Sequence, residues 1–132
     1  MDEEQNLVLI LARGLASAIA TPMVLADPDG AIVYYNEPAE QLLGTTFAET
    51  GAMPRDRWVE LFYPKDPDSG EQVRPSALPL IVALEERKPA HRPLTIQAGD
   101  GQTRTIAVTA FPLWARTDEF VGAGAIFWEA QG

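Results

Sequence analysis

The sequence predicts an α+β fold: one antiparallel sheet of about five strands, with helices on one face and an amphipathic N-terminal helix available for the other. Three observations carry this. Residues 23–44 read as strand, tight turn, strand and capped helix. Residues from His91 to Trp128 read as three further strands. Residues 3–20 carry a helical stripe long enough to stand as a layer of its own.

In the N-terminal helix, Glu3 and Glu4 sit where the helix dipole favours negative charge. Leu7, Leu11, Leu15 and Ile19 recur at i, i+4, i+8 and i+12, and Val8, Ile10 and Ala18 widen that stripe. This is more apolar surface than one contact needs. The helix can cover the sheet, pair with a second copy of itself, or do both; packing on its own domain is the simpler use. Thr21-Pro22 ends it, because a residue before proline avoids the α region.

Two short apolar runs follow, Val24-Leu25 and Ile32-Val33-Tyr34-Tyr35, joined by Asp27-Pro28-Asp29-Gly30. Pro28 presets φ for the second turn position and Gly30 adopts the left-handed conformation at low cost, so the unit reads as a β-hairpin. Asn36 can cap a helix through Pro38, Leu42 and Leu43 that stops at Gly44. From Thr45 to Pro75 the prolines and glycines leave room for one short helix, at 55–62, with Trp58, Leu61 and Phe62 on one side. Ser76 is expected to cap a helix over 77–88, with Leu80, Ile81 and Leu84 inward, Pro79 harmless in its first turn and Pro89 as its stop.

The last third alternates. Leu94 and Ile96 face one way, Thr95 and Gln97 the other, and Gly99-Asp100-Gly101 turns the chain. A strand over 103–113 continues with Ile106, Val108 and Ala110 opposite Thr105, Ala107, Thr109 and Phe111. A loop at 115–119 leads to a final strand over 120–128. Its run Gly122-Ala123-Gly124-Ala125 describes a central strand closely covered on both faces.

Composition narrows the function. With 132 residues and 46% hydrophobic content, the chain is one globular domain with a substantial core. It has no cysteine, which excludes disulfides, thiolate metal sites and cysteine nucleophiles. The formal net charge of -9 argues against nucleic acid and anionic membranes as partners and is accounted for by solubility. Leu7 to Ala12 is apolar, but Asp2-Glu3-Glu4 has the wrong sign for a signal peptide, Arg13 interrupts the run, and nothing approaches the ~20 apolar residues of a membrane span. A cytoplasmic location is expected.

Taken in this order and spacing, several of these residues resemble a PAS domain. They are Val24 to Gly30, Ile32 to Gly44, Leu61-Phe62-Tyr63-Pro64-Lys65-Asp66, Leu78-Pro79-Leu80, Asp100-Gly101, Phe111-Pro112-Leu113 and Val121 to Glu129. The resemblance covers residues 22–129, with 1–21 as a preceding helix. It implies a five-stranded sheet in the order 2-1-5-4-3 and a ligand cavity between the sheet and the middle helices. It also implies dimerisation through the N-terminal helix and a role as a signal-input or interaction module without catalysis of its own. Asn36 would link the second strand to the following helix, beside the turn residues Asp27 and Gly30 and the helix stop Gly44. The Asp-Ile-Thr-like exit motif of many members is replaced by Glu129-Ala130-Gln131-Gly132.

Chemistry is sparse. Photochemistry of the light-oxygen-voltage kind needs an adduct-forming cysteine, so that subclass is excluded, and non-covalent flavin is not expected. Haem would need an axial ligand; His91 is the single histidine and lies past the helix where haem-binding members carry theirs, so haem is not expected either. No metal-ligand spacing and no triad is present. An α+β cone hydrolase or isomerase would need a carboxylate inside an apolar strand pattern, and none is found. What remains is an apolar interior with Trp58, Phe62, Leu80, Ile81, Leu84, Leu94, Ile96, Val108, Ala123 and Phe127 as pocket candidates. Leu7, Ile10, Leu11, Leu15 and Ile19 are the dimer candidates. The expected function is a bacterial, cytoplasmic sensory or regulatory homodimer. Occupancy of its pocket by a small apolar ligand, or contact with an effector, shifts packing and alters the dimer. A ligand-free interaction scaffold of the same fold is the alternative.

Overall fold

The computed structural model describes residues 3–116 and 118–130, the first five of these as backbone only. In chain order the elements are α1 (Glu3–Ala18), β1 (Met23–Ala26), β2 (Ile32–Tyr35), α2 (Glu37–Leu43), α3 (Phe47–Thr50) and α4 (Arg55–Phe62). A 3-10 turn (Pro75–Ala77) precedes α5 (Pro79–Glu86), β3 (Ala90–Gln97), β4 (Thr103–Arg116) and β5 (Glu119–Glu129). The strands form one antiparallel sheet in the order β2-β1-β5-β4-β3. This is the order the family resemblance implies.

The β1–β2 turn is held by its own side chain. Asp27 Oδ1 accepts from the Asp29 N–H at 3.0 Å and the Ala31 N–H at 3.1 Å, and the Gly30 N–H closes on the Asp27 carbonyl at 2.9 Å. β5 runs through the centre of the sheet between β1 and β4. Gly122 has φ 139 and lies against the Ala26 backbone, where a Cβ would collide. Beside Gly124, the Phe111 ring and Met23 fill the space a side chain would take. The small-residue run therefore does describe a strand covered on both faces.

The inner face of the sheet carries the main core, in which Trp58, Phe62, Leu80, Leu94, Val108 and Phe127 are buried together beneath α2, α4 and α5. The outer face carries a smaller cluster of Ala16, Met23 and Leu25, with Ala12, Ile19, Val33, Tyr34, Phe111, Leu113 and Ile126 packed around it. Helices thus lie on one face and α1 alone on the other.

Four local expectations are corrected. Ser76 caps no helix: it is exposed within the 3-10 turn, and α5 starts at Pro79 with Leu78 as its N-cap. The cause is Pro79, which forces Leu78 into extended backbone (ψ 134) and so prevents a helix from running through 77–79. At its other end α5 stops at Glu86, where Arg87 turns left-handed (φ 58) two residues before Pro89. Between 45 and 55 the chain forms α3, announced by a capping box in which Thr46 and Glu49 bond each other's backbone N–H. The expected loop at 115–119 shrinks, because Trp114 pairs with Phe120 and Arg116 with Glu119, and the two rings meet edge to face at 5.4 Å.

Candidate functional site

Between the sheet and its inner helices lies a cavity of about 80 Å³ with an entirely apolar lining. The sheet supplies Val24, Ile32, Leu94, Ile96, Ile106 and Val108, with Ala125 and Phe127 from β5. The helices and their connections supply Leu43, Trp58, Phe62, Pro64 and the run Leu78-Pro79-Leu80. Of the pocket candidates, Trp58, Phe62, Leu80, Leu94, Ile96, Val108 and Phe127 line it. Ile81, Leu84 and Ala123 do not, although all three are buried in the same core. The cavity is lined by the N-terminal turn of α5 and not by Leu84, and Ala123 pairs with Pro112, earlier on β5 than the lining residues Ala125 and Phe127.

Trp58 and Tyr35, both buried in this core, have their polar tips engaged. The Trp58 indole N–H donates to the Gly30 carbonyl at 2.9 Å, which ties α4 to the β1–β2 turn. Tyr35 donates its hydroxyl to the Thr45 carbonyl at 3.2 Å and lies 3.1 Å from Thr50 Oγ1; burial pushes its phenol above the ordinary value. The cavity lining offers shape and apolar surface, and Arg55 Nε, beside Gly30, is a buried side-chain donor without a partner. No cluster of three or more His, Asp or Glu able to hold a metal ion occurs among the described residues.

Asn36 is the one buried polar residue among those described, at 1% exposure, and all four of its side-chain hydrogen-bonding positions are used. Its Oδ1 accepts from the Met23 N–H at 3.0 Å and the Ala39 N–H at 3.1 Å; its Nδ2 donates to the Ala16 and Thr21 carbonyls, both at 2.9 Å. One side chain therefore joins the last turns of α1, the start of β1 and the N-terminus of α2. Its capping of α2 is legible from sequence; the two bonds to the α1 end are not, because they join residues 15 and 20 positions apart. Gly44, at the other end of α2, has φ 73 and lies so close to the β3–β4 turn that a Cβ would sit 2.7 Å from the Asp100 nitrogen.

On the outer face, α1 places its apolar surface in two directions. Ala16 is fully buried, with Ala12 and, just past the helix, Ile19 packed on the sheet. Ile10, Leu11 and Leu15 are 64%, 64% and 60% exposed, Ile10 on the rim of a groove it shares with Arg13, Leu25, Val33 and Tyr34. Of the dimer candidates, then, Ile19 belongs to the sheet contact, Ile10, Leu11 and Leu15 are exposed, and the Leu7 side chain lies outside the described residues. Arg13 stacks over the Tyr34 ring at 4.5 Å and Ser17 Oγ meets the Tyr34 hydroxyl at 2.8 Å, fixing which side of α1 faces in. His91 also stands on this outer face, with Nδ1 2.7 Å from Thr109 Oγ1 and its ring stacked on Trp128. It is remote from the cavity lining, so its position does not fit an axial haem ligand there.

A profile of the PAS domain family matches residues 20–128. The chain belongs to this family. Its fold is shared by the PAS domain of BvgS from Bordetella pertussis (16% identity, TM-score 0.62, covering 94% of this chain and 86% of that one). It is likewise shared by the light-oxygen-voltage (LOV) protein of Rhodobacter sphaeroides (15% identity, TM-score 0.70, 98% and 68% covered). A third similar structure is the LOV domain of the blue-light-activated histidine kinase EL346 from Erythrobacter litoralis (17% identity, TM-score 0.64, 86% and 99% covered). A search of curated protein sequences returned no match. PAS domains are sensory modules of signalling proteins, and this chain has their architecture throughout the matched region.

The cavity, at about 80 Å³, is well below the ~300–1,000 Å³ of sites for drug-sized ligands, and its lining is apolar.

Proposed function

We propose that this PAS domain is a non-catalytic sensory or regulatory module. It self-associates through the exposed stripe of α1, and a change in the core or in partner contact is relayed to that stripe. The observation that carries the reading is the Asn36 node, which bonds α1 and α2 through the same side chain. A displacement of α2 over the inner core therefore cannot leave the end of α1 unaffected. At their present exposure, Ile10, Leu11 and Leu15 would each gain about 1–2 kcal/mol on burial against a second copy. We further propose a cytoplasmic location, with neither nucleic acid nor membrane as partner. The charge of -9 supports this, and no helix among the described residues is long and apolar enough to cross a membrane.

Light scattering on Leu11→Glu tests the assembly. A shift from dimer to monomer is expected, and an unchanged oligomeric state would sink the α1 proposal. One observation favours the alternative of a ligand-free interaction scaffold, namely the small size of the cavity. An absorption spectrum with native mass spectrometry of the purified protein separates the two: a bound mass supports the sensor and a bare mass the scaffold, while a Soret or flavin band would overturn the cofactor reading.

A further inference from the structure

Charge is unevenly divided along the chain. Of the first fifty residues eight are acidic and one, Arg13, is basic, whereas the remaining eighty-two carry eleven acids and nine Lys or Arg. The acidic half is the one that folds into α1, the β1–β2 hairpin, α2 and α3. Within it, the helical repeat divides α1 into three stripes. Leu9, Ala12 and Ala16 meet the sheet. Ile10, Arg13 and Ser17 form the flank toward Tyr34, and Leu11 and Leu15 stand on the opposite flank. Along the Tyr34 flank runs a groove of about 420 Å³. Its floor is Leu9, Leu25, Val33 and Tyr34, with Ile10 on the rim and Asp27 at the turn end. Past Ser17 the same flank continues into a hollow bordered by Glu37 and Gln41. Neither Asp27 nor Glu37 is paired with a cation among the described residues. Arg13, the one cation on this flank, is laid over the Tyr34 ring at 4.5 Å and lies 5.9 Å from the Phe47 ring.

We propose that this groove docks a cationic amphipathic helix of a partner protein. Its apolar side chains fill the floor, and its Lys or Arg residues face Asp27 and Glu37. The inference rests on the regulatory reading above, in which partner contact is one input, and adds the chemistry of that partner. Charge selects against a second copy as the occupant, because its corresponding half carries the same acidic excess and like charges would meet at the groove. Self-association through Leu11 and Leu15 uses the opposite flank and leaves the groove open. Backbone pairing favours a helix over an added strand, because the outward edge of β2 at Ile32 already exchanges both its bonds with Met53.

The probe is a synthetic peptide of about three helical turns, with Leu at i, i+3, i+4 and i+7 and Lys elsewhere. Its counterpart carries Glu in place of every Lys. Each is titrated into the isotope-labelled full chain while the amide NMR spectrum is recorded. The Lys peptide is expected to give saturable shifts at Leu25, Val33 and Tyr34 that fade at ~1 M salt, where screening acts over ~3 Å. The Glu peptide should give none. Asp27→Asn keeps the Oδ1 acceptor of the turn, and combined with Glu37→Gln it should weaken binding roughly fivefold. Ile10→Ser should weaken it roughly fivefold as well, by removing apolar rim. Glu60→Gln with Asp68→Asn, which discharges two carboxylates of the other half, should leave it unchanged. The proposal is overturned if the Lys peptide gives no saturable shift at these residues, or if the Glu peptide binds as tightly. It is equally overturned if the Glu60 and Asp68 pair lowers affinity as much as the Asp27 and Glu37 pair, which would mean attraction to net charge alone. The parent reading has a separate readout. Lys-peptide binding with an oligomeric state indifferent to Leu11→Glu would leave the groove proposal standing and sink self-association through α1. A Leu11-dependent dimer that ignores the Lys peptide would do the reverse.

Discussion

On the inner face of the sheet, α2, α4 and α5 bring Trp58, Phe62 and Leu80 down onto Leu94, Val108 and Phe127 around an apolar cavity of about 80 Å³. On the outer face a single helix contributes one fully buried residue among those described, Ala16, and leaves Ile10, Leu11 and Leu15 at least 60% exposed. Both faces are apolar, yet only the inner one is closed. The difference separates them physically: the inner face holds the domain together, whereas the outer face leaves apolar surface exposed. Asn36 lies where the two meet.

Removing that junction is the strongest way to break the distinction. Asn36→Ala strands the Met23 and Ala39 N–H groups and the Ala16 and Thr21 carbonyls, and is expected to cost about 3 kcal/mol in urea unfolding. A loss under about 1 kcal/mol would mean that α1 is not held by this side chain. On the inner face, Leu94→Ala adds its void to an existing one and should cost about 2–4 kcal/mol by the same measurement.

Trp58→Phe keeps the ring in the cavity wall but deletes the bond to the Gly30 carbonyl. A loss of about 1 kcal/mol is expected, with amide exchange accelerated in the 27–31 turn. A smaller effect tests the edge of the inner layer in acid. Asp100 is held below the ordinary carboxylate value, first by the Arg104 guanidinium and then by the Gln102 N–H. A lowered folded-state value means a contribution that is complete above the usual carboxylate range and lost as pH falls through the lowered value. The thermal midpoint should therefore drop below about pH 4, and Arg104→Ala should flatten that slope. Last, Leu11→Ala should change the stability of the diluted monomer by less than about 0.5 kcal/mol, while weakening association in sedimentation. A large monomer effect would show that the outer stripe is structural.

The legible parts of the fold are those whose signals are local. The Asp27–Gly30 turn, the Asn36 cap, the stop at Gly44 and the alternation at Leu94 and Ile96 each involve groups within a few residues of one another. The Thr46–Glu49 capping box that starts α3 is equally local, but it lies within a proline- and glycine-rich stretch whose composition signals loop. The placement of the α5 start at Ser76 went wrong where two local rules competed. A serine signals a cap, but Pro79 constrains Leu78 more severely than a missing cap costs. Seven of the ten pocket candidates line the cavity because inward strand and helix faces follow from periodicity.

By itself the sequence determined the class of fold, the apolar character of the interior, the absence of cysteine chemistry and the helix with apolar surface to spare. These follow from residue type and spacing along the chain. Only the tertiary structure decided which side of α1 faces solvent, where along α5 and β5 the cavity opens, and that Asn36 reaches back to α1. Those depend on contacts between residues distant in sequence: Tyr34 with Arg13 and Ser17, Ala123 with Pro112, and Asn36 with Ala16. No periodicity within one segment records how that segment is rotated against another.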